Sequence, residues 1–206
     1  ITATLQAKGF YQSTIHADLS KKDGATPDQD IWIATFNIKP GKPTKIQNIQ
    51  IEVIGPGKDN QKLKPLLITP KLIVGHVLVH EDYEDTKDYL LTEFNAAGYL
   101  QADFEQSVVS VNRSEYTANI KFVVNTGPQY TFGKITFYDT EYPDDFLIRF
   151  APFKSGDPYE LQKLIDFQQN LEAGDLFSKI RFDPQNDLDN PQNTVVPIQV
   201  RLTLKA

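Results

Sequence analysis

The sequence of 206 residues contains no cysteine, no methionine and a single tryptophan. The absence of cysteine excludes disulfide bonds, thiol catalysis and zinc sites built from thiolates. No apolar run reaches the roughly 20 residues that a membrane-spanning helix needs, and no charged leader with an apolar centre opens the chain. Because it lacks an initial methionine and opens on a helix-like stretch, Ile1 to Lys8, we expect a segment excised from a longer protein.

The chain also lacks an excess of positive charge. It has 21 lysines and arginines against 27 aspartates and glutamates, for a net charge of −6. The lysines are scattered singly, without interleaved aromatic residues, so they offer no field for a phosphate backbone. We therefore exclude nucleic acid as a partner. The hydrophobic content of 40% is that of a globular protein.

What the sequence does contain is one pattern that occurs three times. An amphipathic, helix-like stretch runs into a glycine followed within two residues by apolar side chains and then an alternating strand, at Gly9, Gly98 and Gly174. The separations are 89 residues (9 to 98) and 76 residues (98 to 174). A second glycine, in a proline-containing linker, recurs at Gly41 and Gly127. Periods of this length predict an array of small modules rather than one large core.

The pattern of apolar residues predicts the same order of elements in each module: strand, helix, helix, strand, strand. This is an α+β arrangement with helices on one face of a small sheet. We place the boundaries at 1–41, which holds only the last part of a first domain, 42–127 for a second domain and 128–206 for a third. Within the second, apolar residues from Tyr83 to Ala97 fall on one helical face, and Gly98 ends that helix as a left-handed glycine does.

Three further local features follow from turn and cap chemistry. Asp59 or Asn60 caps the first helix of the second module, before Leu63 to Ile68. Gly174 ends the last helix. A polar turn from Lys21 to Asp30 joins the two strands of the first module.

The linker from Gly127 to Phe137 reads Gly-Pro-x-Tyr-x-Phe-Gly-x-Ile-x-Phe. Together with the module order, it resembles the polypeptide-transport-associated (POTRA) domain. The stretches Phe153–Tyr159 and Pro197–Leu202 are most similar to the outer-membrane subunit of the translocation and assembly module, the TamA family. The resemblance covers nearly the whole chain. It implies tandem POTRA domains, each β-α-α-β-β with two helices on one face of a three-stranded mixed sheet, the first domain being truncated.

The resemblance also implies a function. Such domains lie on the periplasmic face of the bacterial outer membrane and aid the insertion or secretion of autotransporters and other β-barrel proteins, with no enzymatic activity, cofactor or metal. The implied partners are an inner-membrane-anchored subunit of the same module, unfolded outer-membrane or autotransporter clients, and the protein's own C-terminal β-barrel, outside this sequence. Two alternatives stay open: the POTRA region of another barrel-assembly or two-partner secretion transporter, and a small α+β enzyme or ligand-binding protein whose acidic segments line a cleft.

The expected mechanism is strand addition to an open sheet edge. Family topology places the strand after the second helix at that edge, here Ser13–Leu19, Ala102–Val111 and Lys179–Phe182. The second is the longest and polar enough to stay soluble while unpaired, although it could equally be the outer strand of a stable sheet. Its candidate binding residues are Ala102, Phe104, Gln106, Val108 and Ser110.

A second set of candidates concerns the packing between domains. Phe150, Pro152 and Phe153 could pack between the second and third domains and set their angle, or belong to an ordinary core. Trp32 and Tyr11 could form an exposed aromatic patch or core of the incomplete first domain.

Other polar groups favour simpler interpretations. His76 and His80 are four residues apart, as metal ligands on one helix would be, but no third ligand stands at a suitable spacing. The acids from Glu81 to Asp88 lie at a predicted helix start, where the helix dipole favours them. The Asp- and Asn-rich segment 183–193 lacks the glycine and glutamate of a calcium loop. We expect no metal site and find no catalytic motif.

Overall fold

The computed structural model describes residues 1–22, 31–187, 190 and 192–205. From residue 23 on, the predicted polar turn Lys21–Asp30 lies outside these residues. In chain order the described elements are α1 (Thr2–Ala7), β1 (Thr14–Lys22), β2 (Ile31–Lys39), β3 (Lys45–Ile54), a 3₁₀ helix (Gln61–Leu67), α2 (His80–Ala96), β4 (Asp103–Asn112), β5 (Thr117–Asn125), β6 (Thr131–Tyr138), α3 (Asp144–Leu147), a second 3₁₀ helix (Ile148–Phe150), α4 (Leu161–Ala173), β7 (Phe177–Pro184) and β8 (Val195–Leu204).

The strands form three sheets. β1 and β2 pair as an antiparallel hairpin in which Thr14 lies opposite Lys39 and Lys22 opposite Ile31. β5 is central in the sheet β3-β5-β4, and β8 is central in the sheet β6-β8-β7. β6 runs parallel to β8 and β7 antiparallel to it, so the last sheet is mixed. In both three-stranded sheets the strand that follows the longer helix is an outer one.

This arrangement confirms the predicted α+β class. The order strand, helix, helix, strand, strand occurs once from β3 to β5 and once from β6 to β8, while α1, β1 and β2 match only its last part. The first helix of the middle copy is a 3₁₀ helix that contains Pro65.

Contacts between residues divide the chain into two compact units. The first unit comprises Ile1–Gln50, Thr69–Lys87 and Ser107–Lys121; the second comprises Ile51–Ile68, Asp88–Gln106 and Phe122–Ala206. The sheet β3-β5-β4 contributes residues to both units. The division into domains 1–41, 42–127 and 128–206 stays a prediction.

The core of the last sheet illustrates how the pattern folds. Alternate residues of β8 are buried, from Val196 to Leu202, because successive side chains of a strand point to opposite faces. Leu164, Phe167 and Leu171, spaced three and four apart on α4, cover them. Each such side chain stabilises the fold by about 1.5–3 kcal/mol through burial.

The apolar side chains of the hairpin are not covered in this way. Ile15 pairs with Ile38 and Ala17 with Phe36, which places these side chains on one face. Phe36 and Ile38 are exposed, and Trp32, two pairs along the same face, is 63% exposed. Exposure of Trp32 is expected both for an aromatic patch and for the core of an incomplete domain, so the two sequence-based alternatives stay open.

The predicted helix ends hold. Asn60 is the cap, because its side chain accepts a hydrogen bond from the backbone N–H of Lys62 at 3.0 Å. Gly98 follows α2 with φ +94°, as predicted. Gly174 follows α4, but it has φ −69°, and the left-handed conformation falls on Asp175 at φ +54°. Aspartate tolerates that region better than most residues.

Candidate functional site

β4 is held at the edge of its sheet by the turn that precedes it. After α2 the N–H of Tyr99 donates to the carbonyl of Phe94 at 3.0 Å, and the N–H of Ala102 donates to that of Tyr99 at 3.1 Å. The chain then extends from Asp103, where valines favour a strand. β5 pairs with one side of β4, and no described strand pairs with the other. An edge of this kind presents unpaired backbone N–H and C=O groups.

The five residues predicted for this edge occupy three different environments. Ala102 lies in the turn, one residue before β4. Phe104 is half-buried, with its ring 5.4 Å from that of Phe122. Gln106, Val108 and Ser110 are exposed, Val108 to 41%. Their role in binding stays a prediction, and only the last three share an exposed face of the strand.

The alternation of burial along β4 explains this separation. Phe104 is half-buried, Glu105 and Gln106 are both exposed, and Ser107 then begins a new alternation that continues through Val109 and Val111. The half-buried positions therefore share the parity of Phe104 in the first half of the strand and have the opposite parity in the second half.

A groove of about 350 Å³ lies between the second half of β4 and the first turns of α2, within the first unit. Val109 and Val111 line it from the strand, and Tyr83 and Glu84 line it from the helix. Its size falls in the range of ligand clefts, about 300–1,000 Å³. Val109 and Val111 were predicted as strand residues but not as site residues; the signal that marks them is their parity opposite to Val108.

Tyr11 and His80 also line this groove. The Tyr11 hydroxyl is hydrogen-bonded to Nε2 of His80, and the two rings are 6.0 Å apart. Burial raises the pKa of the Tyr11 hydroxyl, so this group stays a neutral hydrogen-bonding partner around neutral pH. Tyr11 thus belongs to the wall of the groove, whereas Trp32 is exposed.

Three of the acids in the first half of α2 are paired with lysines. Glu81 accepts from Lys8 at 3.3 Å, Glu84 accepts from Lys87 at 3.0 Å, and Asp85 accepts from Lys71. The hydrogen bond to Asp85 and its charge raise the pKa of Lys71. Across the residues that the structure describes, no three histidine, aspartate or glutamate side chains group closely enough to hold a metal ion. Asp189 of the polar segment 183–193 lies outside those residues.

Gly98 makes a close backbone contact within the second unit that was not predicted from the sequence. We call this contact the second glycine seam, because an equivalent contact, described next, lies earlier in the chain. The N–H of Tyr130 donates to the Gly98 carbonyl at 2.8 Å. A side chain on Gly98 would place its Cβ 2.2 Å from the carbonyl oxygen of Tyr159. Nearby, Nε2 of Gln101 donates to the Tyr130 hydroxyl at 2.8 Å. Glycine is required here by both its positive φ and this approach.

The first unit contains an equivalent backbone contact at Gly9, which we call the first glycine seam. The N–H of Thr44 donates to the Gly9 carbonyl at 2.8 Å. A Cβ on Gly9, which has φ +89°, would lie 2.7 Å from the carbonyl oxygen of Leu78. Gln12 accepts from the Tyr116 hydroxyl at 2.9 Å. Gln12 and Gln101 are separated by the same 89 residues as the two glycines, a signal that the sequence offered.

An ion pair flanks the second seam. Nζ of Lys62 donates to Oε1 of Glu160 at 2.9 Å, and Lys163 lies 3.5 Å from the same oxygen. The hydrogen bond from Lys62 is the main cause that lowers the pKa of the Glu160 carboxyl. The pair joins the 3₁₀ helix Gln61–Leu67 to the residue before α4.

The residues predicted to pack between domains lie beside α4. Phe153 is buried in the core of the last sheet, its ring stacked 3.7 Å from that of Phe132. Phe150 packs against the same core, and Pro152 is exposed. Both rings therefore have ordinary core contacts, and a role between domains stays a prediction.

Comparison with solved structures supports this arrangement of strands and helices. POTRA domains 3 to 5 of BamA from Haemophilus influenzae match with a TM-score of 0.55 at 18% identity, over 97% of this chain and 76% of that one. The chain has the POTRA fold. BamA from Haemophilus ducreyi lacking POTRA domains 1–3 matches with a TM-score of 0.54 at 18% identity, over 78% of this chain and 29% of that one. In the β-α-α-β-β order of a POTRA domain, β4 and β7 are the strands that follow the second helix.

No family model matches the sequence, so the likeness rests on structure and concerns the fold. Among the described residues, no helix is both long and apolar enough to cross a membrane.

Proposed function

We propose that this chain is a periplasmic scaffold of an outer-membrane protein assembly factor, which holds extended client segments by strand addition and performs no covalent chemistry. The observation that carries the proposal is the position of β4: it is the outer strand of its sheet, and an open groove runs beside it. The POTRA fold and the sequence resemblance to the TamA family support the same function.

The energetics of such an edge suit transient binding. A strand added along half of β4 would make about four or five backbone hydrogen bonds, each worth about 0.5–1.5 kcal/mol net. Association itself costs at least about 4 kcal/mol, so backbone pairing alone gives weak affinity. Apolar client side chains that enter the groove against Val109 and Val111 supply the remainder.

The experiment is a binding titration with a fluorescently labelled peptide whose residues alternate between apolar and polar. We expect saturable binding and chemical-shift changes in the amides of Ser107–Asn112. N-methylation of the peptide at the alternate positions that face β4 should abolish binding, whereas N-methylation at the other positions should not, because only the first set donates to the edge.

Two valines of the first unit provide a matched pair of variants. Val109→Glu places a charge in the groove, and we expect binding at least tenfold weaker, equivalent to about 1.4 kcal/mol. Val74→Glu adds the same charge at a valine that is 56% exposed and lies outside both β4 and the groove, and it should leave binding unchanged. Circular dichroism checks that both variants fold. Equal binding by both, together with indifference to N-methylation, would exclude strand addition at β4.

We further propose that the assembly factor is of the translocation-and-assembly-module type, with an inner-membrane-anchored partner subunit and autotransporters among its clients. The stretches Phe153–Tyr159 and Pro197–Leu202 support this narrower assignment. The test is direct binding of the soluble part of that partner subunit by calorimetry. If that subunit does not bind while the strand peptide does, the chain belongs instead to another barrel-assembly or two-partner secretion transporter.

A further inference from the structure

A second groove of the molecule, besides the one at β4, lies at the last sheet on the side away from β7. It has a volume of about 690 Å³ and lies in the second unit between β6 and the segment α3 to Ser155. Ile135 and Phe137 line it from the strand, and Ile148 and Phe153 line it from the opposite wall. Ile148 is 47% exposed although it belongs to an apolar wall, so this groove offers uncovered apolar surface.

The backbone beside this groove is an open edge. β6 pairs with β8 on one side. On its other side only the beginning is covered: the N–H of Phe132 donates to the Asp157 carbonyl at 2.9 Å, and the N–H of Gly156 donates to the Phe132 carbonyl at 2.7 Å. Beyond Phe132, no described residue makes a backbone hydrogen bond to that side of β6.

A bulge separates the covered part of the edge from the open part. The register of β6 against β8 shifts between Phe132 and Ile135. Pro197 of β8 lies at this place; it has no N–H for the ladder, and a Cβ on Gly133 would come within 2.8 Å of its nitrogen. After the bulge, the strand from Ile135 to Tyr138 returns to regular pairing with β8. The open part is therefore a regular strand that can accept another.

The polar side chains at the groove carry balanced charge. Lys134 and Lys154 face the same space as Asp144 and Asp145, so the groove has no net charge to select an acidic or a basic occupant. A lysine and a bulge on an edge strand are also devices against unwanted pairing. A merely protected edge, however, does not need an apolar groove beside it, and uncovered apolar surface that is rimmed by polar residues is typical of a binding site.

We propose that the outer edge of β6 is a second strand-addition site, whose occupant is an extended segment with a large apolar side chain at every second residue. Its backbone pairs with Lys134–Tyr138, and its apolar side chains enter the groove against Phe137 and Ile148. This inference rests on the proposed function, since it assigns the same client chemistry to a different edge. A client segment longer than one strand then has two places to bind.

The experiment locates the peptide on the full chain. A nitroxide spin label is attached to the alternating peptide, and its broadening of amide NMR signals is measured for Lys134–Tyr138 and for Ser107–Asn112. We expect both sets to broaden in saturable fashion. Broadening of the β4 set alone would overturn the β6 site and leave the proposed function intact. Broadening of the β6 set alone would support the β6 site and remove β4 from the proposed function. No broadening of either set would overturn both.

Two variants of matched exposure test the groove. Ile148→Glu should weaken the β6 signal at least tenfold and leave the β4 signal unchanged. Leu161→Glu, at a residue that is 42% exposed and lies outside this groove, should change neither. If Ile148→Glu and Leu161→Glu bind with equal affinity at β6, the apolar groove has no part in recognition and the proposal fails.

Discussion

Replacing Gly98 by alanine tests the second glycine seam with the smallest possible side chain. Gly98 has φ +94°, and a Cβ there would lie 2.2 Å from the carbonyl oxygen of Tyr159 and 3.2 Å from its carbonyl carbon. The variant therefore meets two costs. A left-handed backbone at a residue other than glycine costs about 1–2 kcal/mol, and the contact is with backbone atoms, which cannot rotate away as a flexible side chain would.

The second cost is that of overpacking, typically about 1–3 kcal/mol. If Tyr159 moves away, the hydrogen bond from Tyr130 to Gly98 also lengthens from 2.8 Å, at a cost of about 1 kcal/mol. We expect the free energy of unfolding of the second unit to fall by about 3–6 kcal/mol in total. For a chain of this size that lowers the Tm by on the order of 10 °C.

Gly156→Ala is the matched control. Gly156 lies in the same unit with φ +92°, and no heavy atom lies within 4 Å of the point that a Cβ would occupy, so it meets the backbone strain alone. Denaturant unfolding followed by circular dichroism and hydrogen exchange at the Tyr130 amide measures both variants. Trp32 belongs to the first unit and does not report on the second. Equal unfolding free energies for the two variants, with unchanged protection of Tyr130, would refute the seam.

Three other predictions test separate features. Thr126→Val should cost about 1–3 kcal/mol in unfolding free energy, because the fully buried Thr126 hydroxyl accepts from the N–H of Gly57 at 2.9 Å and valine leaves that donor unpaired; an unchanged denaturation midpoint would contradict this. Lys62→Gln should raise the pKa of the Glu160 carboxyl in an NMR titration. Because that pKa is lowered in the fold, the ion pair stabilises the folded protein at pH values above the ordinary carboxyl pKa of about 4.3. This contribution is lost as the pH falls through the folded pKa. With the Lys62 side chain 74% exposed, we expect a cost of at most about 1 kcal/mol at neutral pH, and an unshifted titration would disprove the pairing. Trp32 should emit as a water-exposed indole and be quenched freely by acrylamide, since it is 63% exposed; a blue-shifted, protected emission would mean that its face is covered.

The order of elements could be predicted from the sequence because it depends on periodicity and on glycine. The alternating residues of β8 and the apolar face of α4 are local patterns, and each fixes which side of its element is buried. The positive φ of Gly98 followed from its place after a helix. Gly174 also ends its helix, as predicted, but there the left-handed conformation is adopted by Asp175, a position that the helix-end pattern does not single out.

The candidate site was less accessible to prediction. Strand parity counted from Phe104 assumes unbroken alternation, and the two exposed residues Glu105 and Gln106 break it. The groove beside β4 also depends on Tyr11, which is 69 residues from its partner His80. The glycine seams are mainly contacts between backbone atoms, so the residue types at the partner positions do not identify these positions in the sequence. The open edge of β6 depends on a register shift that only the pairing with β8 reveals.

The two glycine seams allow the chain between them to be duplicated as a unit. Each seam joins a glycine carbonyl to a backbone N–H and brings the glycine against a backbone carbonyl, and at the first seam it also brings Gly9 against the side chain of Val77. If residues 10–98 were duplicated and inserted after Gly98, the original Gly98 would meet the copies of Thr44 and Leu78, and the copied glycine would meet Tyr130 and Tyr159. Lengthening such an array by gene duplication would therefore preserve the backbone contacts of each seam.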